Sequence, residues 1–387
     1  MAPRLPKNKA SHLLPRSVRH LAPTQTTKGV VFIGDPHVWS HKPGRRLDQN
    51  YLKTILGKII WIAEYCNTHK LYPIILGDLL HDSQDNDLGM ISQLIDALQR
   101  FDRKPLVLVG NHDISEKNLT PGTVLHLLHT TGQIEAIIHN GPHALLTLTT
   151  DDGTQEVLIG GTPYGEAIPH SLQKWSGIVG EATHEEIKHA MQVDKVIWIT
   201  HDDLAFDSSY PNSLALHPIL GVDICVNGHM HRTQKPVQKG VTAWYNPGNI
   251  NRLTIDLIDQ TPKIWVYEAD HSVTEPGADG LPVPLVQGVE IPHTPGPEIL
   301  SLEGRLSTIQ SSADLLDEEA SSIPSDGLIS KFVEQMKQDE QIARSDDGVF
   351  LAGVIQEEFN MLKPPASVQD IVSRLFERAL LHHRGQQ

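Results

Sequence analysis

Seven side chains of metal-ligating type stand directly after short apolar runs: Asp35, His37, Asp78, Asn111, His201, His229 and His231. In "VNGHMHRTQKPVQKGVTAWYNPGNINR", which starts at Val226, two of them lie one residue apart. Residues i and i+2 of an extended segment point the same way, so both rings can address one spot. Loop polarity explains any single member of the set, but not a set that recurs after five separate runs. Imidazole, carboxylate and carboxamide oxygen without thiolate suit a divalent cation such as Mn, Fe, Zn or Ni and argue against a structural zinc of the cysteine type. Seven donors are too many for one ion. Shared between two ions about 3.5 to 4 Å apart, they form a clamp on the attacking and leaving oxygens of an in-line displacement at phosphorus. One carboxylate must bridge, and Asp78 is assigned that place.

The elements that must position these groups are legible as runs of aliphatic residues that end in polar ones. Val30 to Ile33 precedes "GDPH", Tyr72 to Leu76 precedes "GDLLHD", and Leu106 to Val109 precedes "GNHD". Glu156 to Ile159 precedes "GGTPYG", Lys195 to Ile199 precedes "THDD", and Asp223 to Val226 precedes "NGHMH". Short β-branched runs bounded by glycine read as buried strands. Leu52, Ile55, Leu56, Ile59, Ile60 and Ala63 repeat at helical spacing, as do Ile91, Leu94, Ile95 and Leu98. Alternation of strand and helix means an α/β architecture, in which ligands gather outside the carboxyl ends of the strands.

Composition sets the outer limits. The chain has 387 residues, of which 39% are hydrophobic and 20% charged, enough for a sizeable core. Its apolar runs are too short to span a membrane and the N-terminus lacks a secretory signal, so a cytoplasmic protein is expected. Two cysteines, Cys66 and Cys225, each in an apolar segment, argue against a disulfide framework. The net charge of −15 is uneven: residues 271–387 carry 19 acidic against 8 basic side chains, leaving 28 against 24 before them. Residues 1–28 are basic, acid-free and proline-rich, and read as a flexible tail able to touch phosphates or anionic surfaces.

The ordered blocks resemble those of the calcineurin-like metallophosphoesterases: Asp35 with His37, "GDLLHD", "GNHD", His201 and "GHMH", over residues 31 to about 252. The resemblance implies a four-layer β-sandwich flanked by helices. It implies one ion on Asp35, His37, Asp78 and His231, and another on Asp78, Asn111, His201 and His229, with Mn²⁺ the metal and Fe, Zn, Ni or Mg as alternatives. His112 is then a general acid or transition-state donor, and Asp113 accepts a bond from His112 and holds its ring. Phosphoprotein phosphatases carry GNHE, whereas this chain has Asp113. Nuclease subunits of the SbcD type are the more similar branch, on His81 in "GDLLHD", on "GTPYG" and on "NPGNINR". His81 would lie near the substrate phosphate, Tyr164 would stack on a base or sugar, and Arg252 would contact a phosphate. Trp39 and His41 follow the first block and receive no role.

After two closing strands, "LTIDL" and "KIWVYEA", the composition changes. Residues 271–325 read as a Pro/Gly/Ser-rich linker, which bounds the catalytic domain at 29–270. Residues 326–387 hold three short helical patterns, a marginal core alone. They pack on the catalytic domain, on a second copy in a homodimer, or on a partner, which the resemblance implies is an ABC-class ATPase of the SbcC kind. The expected activity is a two-metal phosphodiesterase acting on nucleic acid, with DNA as partner and no membrane contact. A hydrolase of a small phosphoester and an inactive scaffold are the competing expectations.

Overall fold

The computed structural model describes residues 25–301 apart from 45, 116, 151–152, 207–212, 270–273 and 285. The expected basic tail up to residue 24, the end of the expected linker and the expected C-terminal helices therefore lie outside the described residues. Among the described residues, the main compact unit comprises 25–43, 48–253 and 259–296. A second holds 44–47, 254–258 and 297–301, where Arg46 and Leu300 form an antiparallel bridge.

Two sheets build the main unit. One contains β2 (Gly29–Ile33), β3 (Leu71–Ile75), β4 (Leu106–Leu108) and β5 (Glu135–Ile137), all parallel, with β14 (Lys263–Glu268) and β17 (Gln287–Glu290) antiparallel at its edge. The other runs in the order β1 (Gln25–Thr27), β6 (Gly141–Thr150), β7 (Gly153–Thr162), β8 (Lys195–Thr200), β11 (Ile224–Asn227), β13 (Thr242–Asn246) and β12 (Gln234–Lys239). Within it β7, β8, β11 and β13 are mutually parallel, and between β8 and β11 in the chain β9 (Leu204–Ala205) and β10 (Leu214–Ala215) pair with each other.

Both faces of each parallel strand are covered, which is why these strands read as unbroken apolar runs. Val30 and Phe32 of β2 point to the layer between the sheets, where they meet Ile159, Ile197, Ile199, Val226 and Tyr245. Val31 and Ile33 face the other way, against α1 (Tyr51–His69), α2 (Leu88–Leu98) and α3 (Val124–Thr130). On the far face of the second sheet, Trp198, Cys225 and Trp244 pack on Ile187 and Met191 of α5 (His184–Met191), which follows the short α4 (Gln173–Ser176). The layers are helix, sheet, sheet and helix, as expected. Helix α1 starts where the Asn50 side chain accepts the Lys53 N–H and ends at Lys70 in the left-handed region. Its buried side is Tyr51, Ile55, Leu56, Ile59, Ile62, Ala63 and Cys66, which includes four of the six expected positions, and Leu52 and Ile60 are half-buried.

Three expectations are corrected. "LTIDL" is not a strand: Ile255–Leu257 form a 3₁₀ turn, in which the Leu257 N–H is satisfied locally by the Thr254 carbonyl at 3.2 Å instead of by a neighbouring strand. The expected linker opens with ordered structure, since β15 (Thr274–Pro276) pairs with β16 (Pro282–Pro284), and β17 extends the first sheet. Val283 and Val286 lie in the layer between the sheets, so the catalytic fold continues past residue 270. Finally, Gln25–Thr27 of the expected tail pair with β6.

Asp223, just before β11, ties helix α5 to the second sheet. Its Oδ2 accepts the Val196 N–H at 2.8 Å, and its Oδ1 accepts from Lys188 Nζ at 3.0 Å. Burial alone would raise this carboxyl, but the His184 bond, the Lys195 and Lys188 cations and the Val196 N–H outweigh it and bring it down to about 2. Because the folded value is depressed, the stabilisation is full above the ordinary carboxylate range and is lost as pH falls through about 2. Asp223→Asn should cost about 2 kcal/mol at pH 7 and shrink that difference between pH 4 and pH 2, read by urea unfolding across pH.

Candidate metal centre

The parallel strands of each sheet deliver their carboxyl ends to one edge, and the polar residues follow there. Asp35 and His37 come after β2, Asp78 after β3, Asn111 after β4, His201 after β8, and His229 and His231 after β11. The two edges meet: His201, from the second sheet, has its Nδ1 3.7 Å from Asp35 Oδ1 and bonded to the Leu76 carbonyl at 2.8 Å, both in the first.

Three clusters emerge among the described residues: His37, His81 and His112 form one, and Asp78 belongs to both of the others. His37, Asp78 and His231 offer one donor atom each within 4.8 Å of one another, and so do Asp78, His201 and His229. The Nε2 atoms of His37 and His231 lie 2.9 Å apart. Asn111 Oδ1 is 3.0 Å from His201 Nε2 and 3.0 Å from His229 Nδ1, which adds the carboxamide to the second cluster. Asp35 and Asp78 are fully buried, and Asp35 Oδ2, His37 Nδ1 and His231 Nδ1 have no hydrogen-bond partner. Burial holds His37 well below its usual value and His231 down at about 3, so both rings keep a lone pair for a cation. Burial also pushes Asp35 up to about 6, against the pull of His201. His201 goes the other way: the Asp78 and Asp35 carboxylates overcome its desolvation and raise it to about 10. The lone pairs of His37 and His231, beside the buried carboxylates Asp35 and Asp78, form a donor set that fits divalent cations, and His201 would give up its proton to join it.

The backbone is bent to achieve this. Among the described residues, six without glycine's freedom have positive φ: Lys70 and Gln192 close helices, and the others are Asp35 (34°), His37 (48°), Asp78 (47°) and His229 (67°). Such conformations cost of order 1 to 3 kcal/mol each and persist only where the surroundings impose them. Here the His37 N–H donates to the Asp78 carbonyl at 2.9 Å, and the Tyr51 hydroxyl donates to the His37 carbonyl at 2.9 Å. Asn251 donates in turn to the Tyr51 hydroxyl, and Lys58 Nζ donates to the Ile250 carbonyl at 2.7 Å, so helix α1 braces the loop after β13 as well. Two glycines are forced by closeness. A Cβ on Gly110 would stand 2.2 Å from Asp78 Oδ1, and one on Gly77 (φ +110°) 2.3 Å from His201 Nδ1.

Beside the clusters, His112 Nδ1 donates to the His81 carbonyl at 2.7 Å, which turns Nε2 away from that contact, and the His112 ring lies 4.8 Å from that of His37. The expected role of Asp113 is corrected here. Its Oδ1 accepts the Leu80 N–H and its Oδ2 the Gly110 N–H, so it locks the loops after β3 and β4 together, while the His81 carbonyl holds the His112 ring. The His81 ring stacks on that of His112 at 5.2 Å, and Tyr164 stands 5.9 Å from His229. Arg252 is not presented to a phosphate: it is 2% exposed and donates to the Thr294 carbonyl. A long side chain after a turn folds inward when carbonyls are within reach, which sequence does not disclose. Sequence reasoning also passed over Asp203, whose Oδ1 is 3.5 Å from His229 Nε2, and Asn249, whose buried carboxamide has no hydrogen-bond partner. The paired aspartates of "THDD" and the asparagine of "NPGN" were the available signals.

A family model described as calcineurin-like phosphoesterase matches residues 29–233. No curated protein matches. Among solved structures, a 5'-nucleotidase precursor from Thermus thermophilus is 12% identical with a TM-score of 0.38, over 76% of this chain and 59% of that one. The chain thus spans less than two thirds of that protein's length. GAP50, the anchor in the inner membrane complex of Plasmodium, is 11% identical with a TM-score of 0.37, over 73% of this chain and 93% of that one. The Haemophilus influenzae NAD nucleotidase NadN is 10% identical with a TM-score of 0.37, over 80% of this chain and 67% of that one. Among the described residues no helix is long and apolar enough to cross a membrane.

Mn²⁺ at about 100 times its dissociation constant should stabilise the protein by about 2.7 kcal/mol per site, a rise in melting temperature of about 5 to 10 °C. Asp78→Asn should remove most of that rise, because both clusters lose their common oxygen. Differential scanning fluorimetry with metal analysis reads both, and a full rise in the variant would contradict the shared carboxylate.

Proposed function

The chain belongs to the calcineurin-like phosphoesterases, metal-dependent hydrolases of phosphoester bonds, and from that premise we propose that it is a two-metal phosphodiesterase that cuts nucleic acid, with DNA the substrate. The observation that carries the reading is the sharing of Asp78 between two donor clusters. Asp35, His37, Asp78 and His231 would hold one cation, and Asp78, Asn111, His201 and His229 the other, with Mn²⁺ the proposed metal. Bound there, the cations supply Lewis-acid charge for the phosphoryl oxygens and for the incoming nucleophile.

The protein's own contribution is proton handling and placement. His112, with Nδ1–H committed to the His81 carbonyl, can donate from Nε2 when the ring is charged, and the departing ester oxygen is the atom that needs that proton. His81, stacked on His112, supports the nuclease assignment, since the resemblance that singled it out is to the SbcD type. Docking of residues 326–387 on an ABC-class ATPase belongs to the same proposal and concerns residues outside those described.

A second reading, hydrolysis of a compact ester such as a nucleotide or phosphosugar, draws on two observations. Arg252 is buried instead of meeting a phosphate, and the Asp203 carboxylate next to His229 would repel a polyanion.

Purified protein with Mn²⁺, offered single- and double-stranded DNA, bis-p-nitrophenyl phosphate and cyclic nucleotides, should cut the polymers. Turnover of the small esters alone would replace the first reading by the second. His112→Ala should lower kcat about 10²- to 10⁴-fold with two ions still bound, and loss of the ions would show that His112 is a ligand instead.

A further inference from the structure

We propose that Trp39 and Tyr164 are stacking platforms for the two bases that flank the scissile phosphate, an inference that rests on the phosphodiesterase reading above. Trp39 had no role in the sequence. In the fold it is fixed beside the site by a short parallel ladder between the loops after β2 and β3. The Val38 N–H donates to the Leu79 carbonyl at 2.8 Å, and the His81 N–H donates to the Val38 carbonyl at 3.0 Å. Rings then follow one another outward from the metal cluster. His37 lies 4.8 Å from His112, His112 5.2 Å from His81, His81 4.5 Å from Trp39, and Trp39 5.3 Å from the exposed His41. Trp39 is half-buried, one side on the helical core and the rest toward solvent.

The other flank is Tyr164, also half-buried, 5.9 Å from His229 and 6.3 Å from His201, with its N–H donating to the Val109 carbonyl at 3.0 Å. Trp39 thus stands one ring, His81, away from His37 of the first cluster, and Tyr164 adjoins His201 and His229 of the second. A diester between two nucleosides carries one base on each side of its phosphorus, whereas a phosphomonoester carries one substituent only. Stacking is sequence-tolerant and contributes substantially per base. It also accounts for the near balance of 28 acidic and 24 basic side chains in the first 270 residues. A site that grips bases by their faces and the phosphate by cations needs few lysines and arginines along its rim.

The test compares single-stranded oligothymidylate with the same strand carrying abasic tetrahydrofuran residues, by fluorescence anisotropy and by cleavage in Mn²⁺. The preference for the base-bearing strand, a ratio of dissociation constants, should fall about 5- to 150-fold in Trp39→Ala and in Tyr164→Ala, and Trp39→Phe should recover most of it. Equal binding of both strands by the wild-type protein, or a loss in Trp39→Ala that is the same for both, overturns the proposal. Because Trp39 also touches the core, Mn²⁺ stoichiometry and circular dichroism accompany each variant. Should the alanine protein fail to fold, Trp39→Leu, bulky but without a π face, takes its place. If the wild-type protein turns over bis-p-nitrophenyl phosphate and cuts neither strand, the nuclease reading fails, and the binding ratio still decides the platforms.

Discussion

Two carboxylates, Asp35 and Asp78, lie fully buried among four imidazoles, and the rest of the structure is arranged around that concentration of charge. Removing a carboxylate from water costs several kcal/mol unless a partner of opposite sign stands close. His201 supplies part of the compensation, with Nε2 3.2 Å from Asp78 Oδ2 and Nδ1 3.7 Å from Asp35 Oδ1. What it leaves are oxygen and nitrogen donors without a hydrogen-bond partner at Asp35, His37 and His231, groups of the type that divalent cations take as ligands. The left-handed backbone at Asp35, His37, Asp78 and His229 follows from the same demand, since the turns must point donor atoms inward.

Such strain needs a stiff frame, and the two-sheet sandwich provides it. Each strand that feeds the site is packed on both faces, so its end is fixed to within the tolerance of a close-packed interior. Helix α1 adds bracing from outside the sheet: Tyr51 holds the His37 carbonyl, and Lys58 holds that of Ile250. Asp113 works in the same way. By accepting N–H groups from Leu80 and Gly110 it ties two loops into one unit, and that unit carries both Asp78 and His112. Second-tier groups of this kind usually matter nearly as much as the ligands they support.

Around this frame the chemistry divides between charge and placement. The shared oxygen of Asp78 fixes how the two clusters relate, and His112, anchored at the His81 carbonyl, is the ring best placed to move a proton. Beside the clusters stand aromatic rings, with Trp39 on His81 and Tyr164 near His229.

How much of this was legible in the sequence depends on the range of the interaction. Apolar runs bounded by glycine revealed the strands, because burial on both faces leaves no alternation to mask them, and the residue types after each run revealed the donor set. Where a side chain's role depends on a neighbour distant in sequence, the sequence was silent or misleading. Asp113 accepts the Leu80 amide of another loop, Arg252 turns in to the Thr294 carbonyl, and Trp39 meets His81 only because two loops run side by side. Residues 274–290 likewise took their form from the strand edges within reach. Residue chemistry and local patterning thus determined what the site is made of. Tertiary structure decided which atoms are left to bind, because hydrogen-bond partners are allotted only when the loops of two sheets close on one another.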